Sequence, residues 1–561
     1  NITLHTSANF HNLTVNSGSY DVDAGSNFDV NGDLKVTSGA LDISSNTVTV
    51  SGETDIKGTL MIGTGIFDAN GAYKGGGGGA ISFTDAGFLK CAASVYSLGS
   101  MNSNIGTVVF DKTSGTQNVR PDTYYNLTID GNATHQIGSS SINVLGNLVV
   151  NQNGSTVFDT RDLNITVSGT ADINGTLDIG TGTFDANGTF DATGGSVTFT
   201  DAGQLNLAGT VTSLGTFTRS TGTVEYDGSS SQTMSGVDYY NLIVNNSSGI
   251  TMGANASVFG TLTFTSGDVT TNSNTLTIGA SGSVSGADAS KHINGHCAKI
   301  TSSTSAFTFP VGDGTRYRPI ILTPAASNSN TFSVKYNHSA HSDVSIAGGS
   351  TIDHISPQYH WDINRTSGSD NATISVVWTS SSTYGTENWN HDISTMLWAY
   401  FDGADWNSIG STSSGNSNSG SLTTSSANSN WSNENFTLAA TTATYPPLPV
   451  DLISFDGHCN NHLTQIQFTV ASQVNNDYFT IERSTNLMDW EIIGFIAGGL
   501  TTNELITYNW SDKAPLNGTK YYRLSQTDIN GEVKYFNPIA LECENEIDFN
   551  LYPNPANEYI N

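Results

Sequence analysis

Two aspartates recur in one five-residue context, Phe67-Asp-Ala-Asn-Gly71 and Phe184-Asp-Ala-Asn-Gly188. Asp68 and Asp185 are thus equivalent positions, as are Asp85 and Asp201 in Phe-Thr-Asp-Ala-Gly. Carboxylates can serve as general acids and bases, or as ligands for Ca2+. A polysaccharide lyase or hydrolase would need clustered carboxylates, often with Arg or Lys to bind an acidic sugar. Basic residues are scarce in this part of the chain, and both contexts read as turns. Their near-identical duplication points to scaffold, with Ca2+ bridging as the chemical alternative. Asp313, in Val311-Gly-Asp-Gly314, reads as a turn residue or as a Ca2+ or sugar contact beside Arg316 and Arg318.

Aromatic rings are the second chemical resource, because their faces stack on sugars. All eight tryptophans lie from Trp361 onward. Trp361, Trp378 and Trp398 fall in alternating strand patterns and read as core. Trp389, Trp406 and Trp431 fall near turns and are the carbohydrate candidates. His338, His341, His354 and His360 form a loose group whose spacing matches no compact metal motif. Cys297 follows His292 and His296, too few ligands for a metal centre. Cys91 stands where the second repeat copy has Leu207 and reads as a small core residue. Cys459 and Cys543 bracket one module and are a disulfide candidate in an oxidising exterior.

Several chemistries lack their motifs. There is no Gly-x-Ser-x-Gly, no Walker loop, no His-Glu-x-x-His and no Cys-x-x-Cys. The pentaglycine run Gly75 to Gly79 has no following Lys-Ser/Thr and is replaced by Asp191-Ala-Thr-Gly-Gly195 in the second copy, so it is a loop variation. The chain reads as no enzyme and implies no cofactor beyond Ca2+ attracted by acidity. Its 19 basic and 49 acidic residues give a formal charge of −30, which disfavours nucleic acid. No stretch approaches the about 18 apolar residues of a membrane span, so membrane insertion is not expected.

The elements that must position these residues come from an internal repeat. Val50-Ser-Gly52, Gly58-Thr-Leu60 and Ile62-Gly-Thr-Gly65 return as Val167-Ser-Gly169, Gly175-Thr-Leu177 and Ile179-Gly-Thr-Gly182, an offset of 117. Tyr124-Tyr-Asn-Leu127 returns as Tyr239-Tyr-Asn-Leu242, offset 115. Asn12-Leu-Thr-Val15, Asn126-Leu-Thr-Ile129 and Asn241-Leu-Ile-Val244 add a third phase, so the visible sequence is expected to begin inside a repeat. Within each unit, Leu177-Asp-Ile179, Val197-Thr-Phe199, Leu205-Asn-Leu207 and Val224-Glu-Tyr226 alternate apolar with polar. Period-two alternation is the mark of short strands with one buried face. Gly, Asn and Asp punctuate them.

The fold class is therefore all-β. Residues 1–290 are expected to form a parallel β-solenoid (β-helix) whose turns of about 20 residues stack on one another. A string of small sandwiches is the other architecture considered; the short strands and absence of Trp favour the solenoid. Residues 291–444 read as a Trp-containing β-sandwich, with 411–430 as loops around a short strand. Tyr445-Pro-Pro-Leu-Pro-Val450 is a proline-rich linker that opens a second sandwich, 445–546.

The C-terminal third carries a resemblance. Leu448-Pro-Val-Asp-Leu-Ile-Ser-Phe455, Asn475-Asn-Asp-Tyr-Phe479, Ile481-Glu-Arg-Ser484 and Tyr521-Tyr-Arg-Leu-Ser-Gln-Thr-Asp528 resemble a fibronectin type III-like module common in Bacteroidota surface proteins. Residues 547–561, with Tyr552, Pro553, Asn554 and Pro555, resemble the opening strand of a type IX secretion sorting domain. The resemblance implies export by the type IX machinery to the outer cell surface. It does not fix an activity.

The reading that follows is a secreted structural or adhesive protein, such as the subunit of an extracellular filament or a rod-like stalk. Its partners would be itself, in head-to-tail contacts, or surface glycans. The alternatives are a carbohydrate-binding adhesin using the middle sandwich and, further off, a β-helix polysaccharide-degrading enzyme.

Overall fold

The computed structural model describes residues 2–4, 9–102, 105–348, 350–356, 358–379, 393–416, 419–429, 435–441, 452–460, 463–471, 473–502, 505–513, 518–528 and 533–543. Among them there is no α-helix, only one 3-10 turn, Ile393–Thr395. No helix is long and apolar enough to cross a membrane. The chain divides into two compact units, Asn1–Lys335 with Arg365–Asp370, and Tyr336–Asn364 with Asn371–Asn561.

The first unit is built on a parallel β-solenoid of about 15 turns. Between Thr107 and Tyr226 each turn gives one strand to each of three parallel sheets. One sheet stacks Thr107–Phe110, Asn126–Ile129 and Leu148–Val150. A second stacks Thr116–Val119 and Thr134–Ile137, and a third Thr123–Tyr124 and Ile142–Val144. The alternation read from the sequence is the burial pattern. In Thr176–Ile179, Leu177 and Ile179 are wholly buried while Thr176 and Asp178 are not. A parallel stack keeps equivalent positions in register, so apolar side chains pile into an interior column: Leu127 on Leu148, then Ala171. Each added turn removes apolar surface from water, which is why no turn needs a large core of its own.

The corners are made by residues whose roles recur between the repeat copies. Ser44 and Arg161 both adopt left-handed φ, 49° and 54°. In each case the aspartate two residues earlier, Asp42 or Asp159, accepts the backbone N–H at 2.8 Å, which holds the strained corner. Asn12, Asn126 and Asn241 share another task. Their side-chain carbonyls accept the backbone N–H of the next turn, from Asp33, Asn147 and Thr261, at 2.7, 2.9 and 2.9 Å. An asparagine corner thus replaces a backbone partner where the ladder is interrupted.

The two copies do not occupy the same sheet. Thr47–Val50, Ile66–Ala69, Phe88–Cys91 and Thr107–Phe110 lie in the sheet that continues through Leu148–Val150. Their counterparts Ile165–Val167, Thr183–Ala186, Gln204–Leu207 and Thr223–Tyr226 lie in the sheet that holds Ile142–Val144. Each counterpart comes seventeen strands later in chain order, five three-stranded turns and two strands more. The repeat therefore advances the motif by a non-integral number of turns and moves it onto a different face.

Parallel pairing runs on through Val269–Ile278 and Ile293–Thr301 to Val311–Gly312. Antiparallel pairing begins where Cys297–Thr301 meets Asn330–Val334. Within the second unit, Met396–Phe401 pairs antiparallel with Asn435–Ala440 and Trp406–Ser408. Ala372–Thr379 pairs with Ser419–Thr424, which forms a hairpin with Ser411–Asn416. The Ser/Asn/Gly-rich stretch expected to be loops around a short strand is thus largely strand, because edge-strand backbone hydrogen bonds do not require apolar side chains.

In the C-terminal module, Leu452–Asn460, Leu463–Val470 and Ile506–Asp512 form one antiparallel sheet. Gln473–Ser484, Glu491–Thr502, Gly518–Asp528, Val533–Tyr535 and Ile539–Cys543 form another. The two enclose a common core of Phe455, Ile466, Phe468, Val470, Phe479, Ile481, Tyr522 and Leu524.

Candidate functional site

Of the four carboxylates singled out by duplication, Asp68 and Asp185 stand on the outer side of strands and not in turns. Asp68 lies within Ile66–Ala69, between Thr49 and Lys90 in the ladder. Asp185 lies within Thr183–Ala186, between Thr166 and Asn206. Phe-Asp-Ala alternates in-out-in, so the strand period decides the aspartate's direction before the following Asn-Gly makes its turn. Asp85 and Asp201 do lie at bends, where each accepts the backbone N–H of the next residue.

Structure brings a further pair forward that the sequence left unremarked, Asp111 and Asp227, which are equivalent in the two copies. Each has a buried Oδ1 without a hydrogen-bond partner among the described residues. Burial, with the charges of Asp68 and Asp130 adding to it and Lys90 opposing, pushes the Asp111 carboxyl up to about 6. Burial and the charges of Glu225 and Asp185 push Asp227 up as well. A carboxyl titrating near neutrality can hold or release a proton. The rotation between copies puts the two on different faces, so they do not oppose each other across one cleft.

Beside each stands a buried glutamine. Gln117 donates to the carbonyls of Cys91 and Ala93 at 2.6 and 2.7 Å. Gln232 donates to those of Leu207 and Gly209 at 2.7 and 2.8 Å. Their Oε1 atoms accept from the N–H of Lys112 and Gly228. Tyr124 and Tyr239 likewise each donate to the carbonyl four residues back, Arg120 and Ser235. The glutamines retained by both copies are thus spent on joining turns, and the tyrosines on closing a local loop within one turn.

At the last turns, Asp313 accepts N–H groups of Thr315 and Arg316 at 2.9 and 2.7 Å, and the Arg316 guanidinium at 3.1 Å. Burial would raise this carboxyl, but those hydrogen bonds outweigh it and hold it below its ordinary value. His292 is wholly buried; its Nε2 accepts from Gly314 N–H at 3.2 Å and its Nδ1 faces the Asp288 carbonyl at 3.2 Å. That network places the proton on Nδ1. Cys91 and Cys297 are free and buried, and burial pushes both thiols well up, which suits inert core residues. Among the described residues no three His, Cys, Asp or Glu side chains group as ligands for a metal ion. His341 and His360 do come together, with ring centroids 5.4 Å apart.

Trp406 is not available to a sugar. It is fully buried, its Nε1–H donates to the Asp343 carbonyl at 2.8 Å, and it packs with Ile352, Ile355 and Leu397. The Gly-Ala-Asp turn before it sends the chain back into the sheet, so its ring points inward although it follows a turn. Trp361, Trp378 and Trp398 are buried as expected of core. Trp389, Trp431, Tyr552, Pro553, Asn554, Pro555 and the proline-rich linker lie outside the described residues. Cys459 is disulfide-bonded; the side chain of Cys543 lies outside the described residues.

Single exposed aromatics such as Tyr20 and Tyr96 occur on the solenoid, and a group of exposed apolar side chains lies on the C-terminal module. Arg523 donates both arms of its guanidinium to Glu482, at 2.7 and 3.1 Å. Its guanidinium carbon lies 4.2 Å from the Trp490 ring and 4.4 Å from the Tyr535 ring. Around this stack Ile492, Phe495, Val533 and Tyr535 are each half or more exposed. Phe495 meets Tyr478 edge-on at 5.5 Å. An apolar patch around a fixed, desolvated ion pair is the anatomy of a contact surface. The sequence signal for it was the outward phase of the strands, since Phe479 and Ile481 occupy the inward phase.

No family model matches the chain, and no curated protein matches it. Among solved structures, the chain is similar to a β-1,2-glucanase from Parabacteroides distasonis at 10% identity and a TM-score of 0.15. The match covers 45% of this chain and 37% of that one. A likeness at that level carries no argument about activity.

Proposed function

We propose that this chain is a secreted, cell-surface structural protein whose solenoid is a rod and whose C-terminal module makes adhesive or subunit contacts. The observation that carries the proposal is the change of face between repeat copies. A repeat that served one binding surface would return to one face. This one returns the same corner aspartates, glutamines and tyrosines to a different face, and so keeps the stack intact and not a surface. About 15 turns at about 4.8 Å per strand spacing give a body of roughly 70 Å.

The exposed aromatic patch around Arg523 supports a contact role for the C-terminal module, with a second copy of the chain or a surface glycan as its partner. The disulfide at Cys459 supports an oxidising, extracellular setting. The fibronectin type III-like and type IX sorting resemblances support delivery to the outer surface. Catalysis is not part of the reading, and Ca2+ would be at most an added bridge.

The test is negative-stain electron microscopy of the protein as released from cells. Long filaments with an axial repeat of one subunit are expected of a polymer. Short isolated rods would discard the filament version and leave a stalk. Compact particles without rods would overturn the proposal.

A further inference from the structure

The last turns of the solenoid hold a charge without a counter-charge. Lys299 is 6% exposed, and its Nζ donates to the carbonyls of Gly279, Ala280 and Gly282 at 2.5, 3.1 and 2.7 Å. No carboxylate pairs with it among the described residues, and its nearest ring is Phe307, 5.0 Å from Nζ. Buried charges are ordinarily paired. In a chain with 49 acidic and 19 basic residues, a buried cation left to carbonyl dipoles alone is out of keeping with its surroundings.

Lys299 lines an open cleft of about 460 Å³, within the about 300–1,000 Å³ range of small-molecule sites. No carboxylate lines it; Ser283, Thr301, Ser303, Ser305 and Phe307 do. Thr301 is 5% exposed, and its hydroxyl is buried with no hydrogen-bond partner among the described residues. A buried hydroxyl without a partner costs about 1–3 kcal/mol unless something enters to meet it. The cleft is therefore backed by one buried ammonium whose pKa burial lowers, one unmet hydroxyl, further hydroxyls and one aromatic ring.

We propose that this cleft binds an acidic saccharide of the hexuronate class. The sugar carboxylate supplies the charge that Lys299 lacks. Because the three ammonium hydrogens are already donated, the directed bonds to the sugar come from Thr301 and the serine hydroxyls, and Phe307 provides an apolar surface for the ring. The inference is independent of the filament reading, since it concerns one cleft in the solenoid unit.

The test is calorimetric titration of the full chain with trigalacturonate, its methyl ester and maltotriose, at low salt. Trigalacturonate should bind, with the ester and maltotriose weaker by about tenfold or more. Raising NaCl to about 0.5 M should weaken the acid form. Thr301→Val removes the unmet hydroxyl without changing shape, so it should keep or raise the melting temperature and lose about tenfold in affinity. Lys299→Met should abolish the preference for the acid form over its ester; if it fails to fold, Thr301→Val still decides. Equal binding of acid and ester, no binding of trigalacturonate, or unchanged affinity in Thr301→Val would each overturn the inference.

Discussion

The side-chain carbonyl of Asn126 occupies the space in which a side chain on Gly146 would begin. A Cβ at Gly146 would lie 2.5 Å from Asn126 Oδ1 and 2.8 Å from the Tyr125 carbonyl. The same carbonyl of Asn126 accepts the N–H of Asn147. Gly32 faces Asn12, and Gly260 faces Asn241, in the same way. The corner thus couples an asparagine in one turn to a glycine in the next.

Gly146→Ala should destabilise the solenoid by about 1–3 kcal/mol through overpacking. Asn126→Ala should cost about 1 kcal/mol through the lost hydrogen bond. Combined, the losses should fall short of their sum, because removing Asn126 Oδ1 relieves part of the clash. Thermal unfolding of the two single variants and the double variant checks this; strict additivity would refute the coupling.

Gln232→Leu leaves the carbonyls of Leu207 and Gly209 and the N–H of Gly228 without this partner. The expected loss is about 2–3 kcal/mol. Gln136→Leu, at an outward, half-buried position whose side chain reaches Asn118 at 3.0 Å, should cost far less. Equal denaturation midpoints for the two variants would contradict the role given to the buried glutamine.

His135 points into the solenoid core between Gln117 and Phe158; among the described residues neither ring nitrogen makes a well-formed hydrogen bond, and the backbone of Ala133 and Val157 only partly offsets its burial. Burial pulls its pKa from 6.5 down to about 4. Between these values the unfolded chain binds the proton and the folded chain does not. Its contribution is therefore full above pH of about 6.5, falls as pH drops toward 4, and then levels off, a loss of about 3 kcal/mol. His135→Phe should remove this share of the acid sensitivity. Urea unfolding at pH 7 and pH 4.5 compares the variant with its parent; identical pH dependence would exclude the assignment.

Arg523→Lys should weaken the C-terminal module by about 1–3 kcal/mol, because an ammonium cannot make both bonds to Glu482 or stack between Trp490 and Tyr535. Phe495→Ser, at a ring 59% exposed, should leave the stability within about 0.5 kcal/mol of the parent's. It should nevertheless reduce self-association or surface binding, read by light scattering and cell adhesion. Unchanged association would place the contact surface elsewhere.

The solenoid was legible in the sequence because its signal is local. Alternation as in Leu177-Asp-Ile179 fixes which side chains point inward, and Asn and Gly at set intervals fix the corners. The recurrence at offset 117 by itself identifies the equivalent positions. Sequence could not assign a face, since that depends on how many strands make a turn, and seventeen is not a multiple of three. The same limit misdirected the aspartates: Asp68 reads as a turn residue beside Asn70 and Gly71 but belongs to the strand. Trp406 follows a turn, yet only the packing of Ile352, Leu397 and the Asp343 carbonyl decides that its ring is enclosed. The unmet hydroxyl of Thr301 and the lone charge of Lys299 are likewise properties of neighbours distant along the chain. Local alternation and corner chemistry determined the fold; burial and partnership, which depend on stacking, were decided by the tertiary structure alone.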